Sequence, residues 1–401
     1  MTTYPPTAST SLPLTLPGYP TWDTLHELSA VRLDHPAAVS LYVALDDGEP
    51  RTPRELLQHE GSLVGELRKL ARSAEPQAPG HDARMALRSL ADRIAHHLHD
   101  RRPAGRHVHG IACFATPTGD IRTMELPESP GDSVALDRTY RLVPLTSLVP
   151  RTRDTLIVMV GREQGRILLS AGGALTRVDD RSDPVGDRID GAWPEPEIHR
   201  AIDREVAEHL EHVADAVNRA SRAPRRPIVL VGVDEIRGEF MRYLDQHARD
   251  LVAGWTSVDP HATPNDVARA ARDVFAIWWA DRERELVELW RAAAARHSGH
   301  GAAGFEEVTE AAADGAVELL LYQDVPETQR RSGWECPECG RPAAAPGVCP
   351  LHGLRLVRQD HALDAILRET LRYGGKALAM GGHERLTAAQ GVGAMLRYPA
   401  A

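Results

Sequence analysis

The 401-residue chain is poor in cysteine and in aromatic residues, and it has no long apolar run. Only 4 residues are cysteine, and aromatic residues make up 5% of the chain. No apolar run approaches the roughly eighteen residues of a membrane span, and the opening residues lack the basic start and apolar centre of a signal peptide. The sequence therefore predicts a cytoplasmic protein without a disulfide framework.

Net positive charge is also missing, because 57 acidic residues outnumber 47 basic ones and give a net charge of −10. Such a chain repels phosphate backbones, which excludes bulk nonspecific binding to nucleic acid and argues against DNA as a partner. Any contact with RNA must therefore be local. The hydrophobic content of 42% is typical of a folded protein, and the length favours two or three domains.

The pattern of apolar residues predicts an N-terminal α/β domain over residues 21–150, after a Pro-, Ser- and Thr-rich tail (1–20) that we expect to be disordered. Within it, "AAVSLYVAL" is typical of a buried strand, and Cys113 is expected in another strand. The histidine-rich stretch 96–109 invites a metal interpretation. Its clustered histidines share no helical face, however, which favours a polar helix end.

A middle domain is predicted over 151–260 and a C-terminal domain over 261–401. The middle domain opens with a hairpin, continues into a polar loop at 179–196, and then enters a long amphipathic helix. The C-terminal domain alternates helices with strands, which predicts a parallel-type α/β sandwich. In its first helix, Trp278 and Trp279 are more typical of helix packing than of base stacking.

Three of the four cysteines fall within "ECPECGRPAAAPGVCPLHG", residues 335–353. Two residues separate Cys336 from Cys339, and two separate Cys349 from His352, a spacing that lets both members of a pair reach one ion. Three thiolates and one imidazole complete a tetrahedral shell, so the sequence predicts a structural zinc (Zn²⁺) knuckle. The alternatives are a vestigial metal-free loop and a catalytic zinc. The second is disfavoured because four protein ligands leave no position for water.

Several of these segments resemble the bacterial relatives of archaeal and eukaryotic release factor 1 and Pelota. The similar features are the opening "LHELSAVRLDHPAAVSLYVAL", the middle-domain hairpin with its loop and long helix, "GAVELLLYQD", the inserted cysteine knuckle and the closing "GVGAMLRY". The resemblance begins at about residue 22. It implies a middle domain of ribonuclease-H-like topology and a last domain similar to ribosomal protein L7Ae.

One departure from this family guides the functional interpretation. Release factors carry a Gly-Gly-Gln in the middle-domain loop, which organises water at the peptidyl-tRNA ester. The matching stretch here is "DRIDGAWPEPEIHRAIDREVAEHL", and no glutamine occurs from Asp179 to Arg222. The glutamine that other tRNA-cleaving relatives carry near the start of the next helix is absent too. The pattern is most similar to the Balon-type ribosome hibernation factors, which occupy the ribosome without hydrolysis.

The resemblance thus implies a non-catalytic stress factor in the A site of idle or stalled 70S ribosomes. We predict that Arg181, Arg188 and Trp193 contact ribosomal RNA, the tryptophan by stacking. An elongation factor that delivers the protein is a further candidate partner. Two alternatives stay open: a peptidyl-tRNA or tRNA hydrolase with another general base, such as His199 or Glu197, and a protein-interaction module outside translation.

Overall fold

The computed structural model describes residues 20–45, 51–100, 108–126, 128–151, 154–171, 174–183, 195–222, 225–259, 262–295, 299–325, 328, 331–381 and 383–399. The chain divides into two compact units. The first combines Met1–Pro150 with Trp290–Ala401, and the second is Arg151–Leu289. Both mix helices with strands, which agrees with the predicted α/β class. No helix in the described ranges is long and apolar enough to cross a membrane.

The N-terminal part of the first unit is built around an antiparallel sheet. Its elements are α1 (Trp22–Ser29), β1 (Ala38–Ala44), α2 (Pro53–Ala74), a 3-10 turn (Glu75–Gln77), α3 (Gly80–Asp100), β2 (Gly110–Ala115), β3 (Arg122–Leu126), β4 (Ser133–Asp137), α4 (Val143–Thr146) and α5 (Leu148–Arg151). The strand order is β3-β2-β1-β4, and every neighbouring pair is antiparallel. The predicted buried strand is confirmed as β1, and Cys113 lies in strand β2 as expected.

This sheet is buried on both faces. Every residue of β1 is buried, and successive side chains alternate between two hydrophobic clusters. Val39, Leu41 and Val43 pack with apolar residues of α2 and α3, whereas Ala38 and Tyr42 face a second core. The period of two is that of a pleated strand, and coverage of both faces explains why the sequence shows an unbroken apolar run.

The second unit has a five-stranded mixed sheet with helices on both faces. Its elements are β5 (Thr155–Val160), β6 (Gln164–Ala171), β7 (Ala174–Ser182), α6 (Glu195–Ala220), β8 (Ile228–Gly232), α7 (Asp234–Tyr243), α8 (Gln246–Leu251), β9 (Val252–Thr256) and α9 (Pro264–Ala295). The last residues of α9, from Trp290 onward, belong to the first unit. The strand order is β7-β6-β5-β8-β9. The first three strands run antiparallel, and β5, β8 and β9 run parallel. The amphipathic helix predicted from residue 198 is confirmed as α6.

The C-terminal part of the first unit holds a small mixed sheet and the cysteine knuckle. Its elements are β10 (Gly301–Ala303), α10 (Phe305–Ala313), β11 (Val317–Gln323), β12 (Gly333–Glu335), β13 (Pro342–Ala343), β14 (Val357–Gln359), α11 (Ala362–Arg372), β15 (Lys376–Met380), α12 (Glu384–Ala388) and β16 (Val392–Leu396). The predicted parallel-type sandwich is wrong in strand direction. Only β11 and β15 run parallel, because β16 inserts antiparallel between β10 and β11.

The two parts of the first unit share one core. Apolar side chains of α1, β1, β2 and α4 pack in the same cluster as those of α10, β11, α11 and β16. Hydrogen bonds also link the two parts. Asp364 on α11 accepts hydrogen bonds from the backbone N–H groups of Leu142 and Val143, at 2.8 and 3.0 Å. The buried Tyr322 hydroxyl donates to the Val143 carbonyl at 3.2 Å and also bonds Thr146.

Replacing Asp364 with alanine should loosen this junction. The substitution leaves two buried N–H groups, those of Leu142 and Val143, without an acceptor, which costs about 1–3 kcal/mol. Hydrogen exchange at these two amides is the suitable measurement, because a chain of two units does not unfold in one step. Asp360→Ala, at an exposed carboxylate nearby in sequence, should leave exchange unchanged. Equal protection in both variants would contradict the assignment.

Candidate metal centre and loop contacts

The cysteine knuckle follows β11 and has its own three-stranded sheet in the order β13-β12-β14. Strand β12 pairs antiparallel with both neighbours. It ends at Glu335, directly before the first candidate ligand, Cys336. The small sheet therefore fixes where the first ligand turn begins.

Each pair of candidate ligands lies in a turn of the same pattern, Cys-Pro-x-Cys-Gly or Cys-Pro-x-His-Gly. The Gly340 N–H donates to the Cys336 carbonyl, and the Gly353 N–H donates to the Cys349 carbonyl, both at 2.9 Å. The two glycines have φ angles of +77° and +67°, a region that glycine enters without steric cost. These glycines were not singled out from the sequence, although the repeated pattern carries the signal.

The turns bring Cys336, Cys339, Cys349 and His352 together, with one ligand atom of each lying within 4.8 Å of the others. The Sγ atoms of Cys339 and Cys349 are 3.8 Å apart, and Nδ1 of His352 lies 3.7 Å from Cys349 Sγ and 3.9 Å from Cys336 Sγ. Two sulfurs that each lie about 2.3 Å from a tetrahedral ion are separated by about 3.8 Å. The four residues thus fit one zinc ion and leave no position for a water ligand.

The thiols of this cluster differ in acidity. Burial, together with the neighbouring thiols, raises the pKa of Cys339 to about 11. Burial also opposes ionisation of Cys349, but hydrogen bonds from His352 and from backbone N–H groups outweigh it and lower its pKa to about 6. A cation bound among the sulfurs would favour all three thiolates, so its binding would release protons.

Arginines from the N-terminal part of the chain hold the first ligand turn. The Arg32 guanidinium donates to the carbonyl oxygens of Cys336 and Pro337, at 2.9 and 3.2 Å. Arg138 donates to the same Pro337 oxygen at 2.9 Å. The carbonyl groups of a tight turn cannot all bond within the turn, and here the partners are side chains from about two to three hundred residues away in sequence. The knuckle is thus packed onto the N-terminal part.

A buried ion-pair network lies beneath the knuckle. Glu335 is 4% exposed and accepts a hydrogen bond from Arg368 at 2.7 Å and from Arg32 at 3.4 Å. Arg368 is 7% exposed and also donates to the Thr139 hydroxyl at 2.8 Å. Removing one member of such a network leaves an uncompensated buried charge. The base of the knuckle is therefore buried.

The predicted RNA-contacting residues are only partly described. Arg188 and Trp193 lie outside the described residues. Arg181 lies in strand β7, although a polar loop was predicted from Asp179 onward. This difference arises because β7 is an edge strand, which tolerates charged residues. The Arg181 guanidinium is hydrogen-bonded to the Asp179 carboxylate at 3.1 Å, so part of its charge is already neutralised.

A histidine–carboxylate cluster lies at the end of β7, directly before residues 184–194. Asp183 Oδ2 is 2.8 Å from Nδ1 of His209 and 3.4 Å from Nδ1 of His212. The hydrogen bond from His209, followed by that from His212, lowers the pKa of Asp183 although partial burial opposes this. His209 is fully buried, whereas the His212 side chain is 60% exposed. The cluster ties the end of β7 to α6 and presents one imidazole to solvent.

The tryptophan pair of α9 belongs to a half-buried aromatic cluster. Phe275 lies 5.6 Å from Trp278 and 6.4 Å from Trp279, measured between ring centroids, and is nearly parallel to the second ring. The Trp279 indole N–H donates to Glu283 at 2.7 Å. All of these contacts lie within α9, so packing of the helix by the tryptophan pair stays a prediction.

Residues 141–276 match the family model described as "Bacterial archaeo-eukaryotic release factor family 10". The match covers about a third of the chain, including all of β5 to β9 and the segment that lacks the Gly-Gly-Gln. It confirms the family resemblance drawn from the sequence. Among curated proteins, none matches the chain.

Solved structures similar to the chain include three archaeal proteins. Pelota in a model of ribosome-bound archaeal Pelota and ABCE1 is 15% identical, with 96% of each chain covered and a TM-score of 0.42. Archaeoglobus fulgidus Pelota is 12% identical, with 96% of this chain and 94% of that chain covered and a TM-score of 0.40. An archaeal translation termination factor is 16% identical, with 96% and 99% covered and a TM-score of 0.26.

Alanine substitutions at three knuckle glycines should form a graded series. At Gly340, alanine combines a positive φ with a Cβ that would lie 2.6 Å from Arg32 Nη1, so it strains the turn and displaces the arginine. At Gly353 only the backbone is strained, at about 1 kcal/mol, and at Gly347 a Cβ meets no atom within 4 Å. Hydrogen exchange of the knuckle amides should rise most for Gly340→Ala and least for Gly347→Ala. Three equal responses would contradict the assigned roles.

Proposed function

We propose that this chain, a bacterial relative of the archaeo-eukaryotic release factors over residues 141–276, is a non-catalytic translation factor that binds the 70S ribosome. The observation that carries the proposal is the family match over a segment without the Gly-Gly-Gln of release factors. A factor that keeps the family domain but lacks its hydrolytic glutamine is suited to occupying a site, not to chemistry. We interpret its role as ribosome hibernation in the A site under stress.

The domain interpretation extends the same proposal. We take residues 21–150 as the N-terminal release-factor-like domain, 151–260 as the ribonuclease-H-like middle domain and 261–401 as the L7Ae-like domain with the inserted knuckle. The five-stranded mixed sheet with helices on both faces supports the second assignment. Ribosomal RNA is the proposed contact of the segment after β7, and an elongation factor is the candidate delivery partner.

Zinc is the proposed resident ion, held by Cys336, Cys339, Cys349 and His352. The closed set of three sulfurs and one nitrogen supports a structural ion, because such a set leaves no open coordination position. When bound, the ion would cross-link the two turns. The chain's own residues hold the rest of the knuckle, through β12 on one side and the arginines on the other.

A hydrolase is the second candidate function, and one observation favours it. The exposed His212 imidazole is paired through Nδ1 with Asp183, directly before the loop segment. A carboxylate at one ring nitrogen orients the imidazole and fixes its tautomer, which leaves the other nitrogen to act as a general base. His199 also lies exposed on α6. We rank this function second because the 3.4 Å separation is long for a hydrogen bond and the glutamine is absent.

The purified protein should contain one zinc ion per chain, measured by elemental analysis after preparation without chelator. Cys336→Ser combined with Cys339→Ser removes two ligands from one turn and should abolish zinc binding. Cys113→Ala, which changes the remaining cysteine in β2, should keep the ion. Wild-type protein with no zinc, or a double variant that keeps it in full, would contradict the metal assignment.

The protein should co-sediment with purified 70S ribosomes and compete with A-site ligands. Changing Arg181, Arg188 and Trp193 together to alanine should lower ribosome occupancy, because these residues supply the cationic and stacking groups of the proposed contact. Binding should weaken only modestly with salt, since few phosphates are neutralised. Arg177→Ala is the matched control, because Arg177 is an exposed arginine of the same strand that is paired with Asp180.

Three outcomes would decide this prediction. Absence of wild-type binding would reject the ribosomal function and promote the interaction-module alternative. Undiminished binding of the triple variant would reject the loop as the RNA contact. Peptide release from programmed ribosomes at rates comparable to a release factor would replace the first function with the second, and loss of that release in His212→Ala would identify the base.

A further inference from the structure

Exposed aliphatic side chains concentrate on the second half of the knuckle. Twelve large hydrophobic residues of the described chain are exposed, and four of them lie between residues 348 and 357. Val348, Leu351, Leu354 and Val357 are 61%, 68%, 42% and 48% exposed. Single exposed hydrophobic residues are ordinary on a protein surface, but a third of the total within ten residues marks an interaction site.

A rigid hairpin presents these side chains. The Cys349 N–H donates to the Leu354 carbonyl at 2.8 Å, the Leu356 N–H donates to the Gly347 carbonyl at 2.9 Å, and Val348 forms an antiparallel bridge with Arg355. The buried Cys349 points into the ligand cluster of the same hairpin. We refer to residues 347–357 as the knuckle tip. These backbone bonds fix the path of the tip, and its four aliphatic side chains are exposed along it.

The charge of this region is opposite to that of the whole chain. Residues 339–359 contain three arginines and one histidine but no aspartate or glutamate, whereas the chain as a whole has a net charge of −10. Arg341 is paired with Asp314 at 2.6 Å, so Arg355 and Arg358 supply the exposed positive charge of the region. Arg355 is exposed and has no ion pair within the part of the chain that the structure describes. Arg358 pairs only loosely with the exposed Asp360, at 3.7 Å. A complementary surface would therefore be acidic.

We infer that the knuckle tip docks on a protein surface that has an apolar pocket bordered by carboxylates. This inference rests on the proposed function, so the partner is a protein component of the 70S ribosome. Protein interfaces have an apolar centre and a charged rim, which the tip supplies in four aliphatic side chains with Arg355 and Arg358 beside them. Single-stranded RNA is instead bound on aromatic side chains, and the tip has none.

The test compares ribosome binding of full-length variants with that of the wild type. Leu351→Asp and Val357→Asp each place a carboxylate at the tip and should weaken binding to purified 70S ribosomes about tenfold or more, as expected for a central apolar contact. Leu351→Met keeps an apolar side chain and should bind like the wild type. Leu57→Asp is the matched control, since Leu57 is 52% exposed on α2. Zinc content and knuckle hydrogen exchange establish that each variant is folded.

A photo-crosslinking amino acid at position 351 identifies the chemistry of the partner. Crosslinks to a protein of the purified 70S particle support the inference. Three results would overturn the inference: crosslinks to ribosomal RNA, unchanged binding of both aspartate variants, or an equal loss of binding in Leu57→Asp. None of these results would contradict the proposed function, provided that the wild type binds the ribosome. If the free protein forms a dimer and Leu351→Asp makes it monomeric, the inference is overturned, because the tip then binds a second copy of this chain. Absence of wild-type ribosome binding rejects the proposed function itself.

Discussion

The first unit depends on one apolar core that is shared by residues from before Pro150 and after Trp290. The N-terminal sheet has helices α2 and α3 on one face only, and its other face is covered by the C-terminal part. The sheet could not expose that face to water without losing the burial of Tyr42 and Phe114, at roughly 1.5–3 kcal/mol for each large side chain. The knuckle is positioned by this arrangement, because Arg32 and Arg138 reach its carbonyl groups only when the shared core has formed.

Two different interactions position the knuckle. The proposed zinc ion would constrain the two ligand turns relative to each other, while the arginines and the buried Glu335–Arg368 pair fix the first turn to the rest of the unit. Buried ion pairs contribute little net stability, but they penalise any other placement strongly, because a displaced partner leaves a buried charge unpaired. The network therefore specifies the position of the knuckle more than it stabilises the fold.

Local sequence signals predicted most of the elements and the four Cys and His residues that the structure brings together. Helix α2 carries a capping box at Thr52 and Glu55, and the ligand turns have a spacing that only a few structures use. Sequence could not predict contacts such as Arg32 with Cys336, which lie 304 residues apart and have no local pattern. The prediction of parallel strands in the C-terminal domain was wrong for a similar reason, because an alternation of helices and strands does not determine where β16 inserts in the sheet. Arg181 was predicted in a loop because edge strands and loops share a polar composition.

Whether an acidic chain could bind a ribosome, as we propose, depends on the distance over which charges interact in salt. At physiological ionic strength, charges separated by more than about 8 Å are largely screened, so the charged and apolar groups that lie at the contact surface decide the affinity. In the proposed RNA contact, Arg181 would have to exchange its bond to Asp179 for one to a phosphate, so part of the gain would be offset by the ion pair that is lost. Burial of an apolar side chain does not require an existing ion pair to be broken. A surface that combines exposed aliphatic residues with Arg355, which has no ion pair in the described part of the chain, can therefore contribute more per residue than a paired arginine on an edge strand. In the proposed complex this favours recognition by shape and apolar contact over recognition by charge.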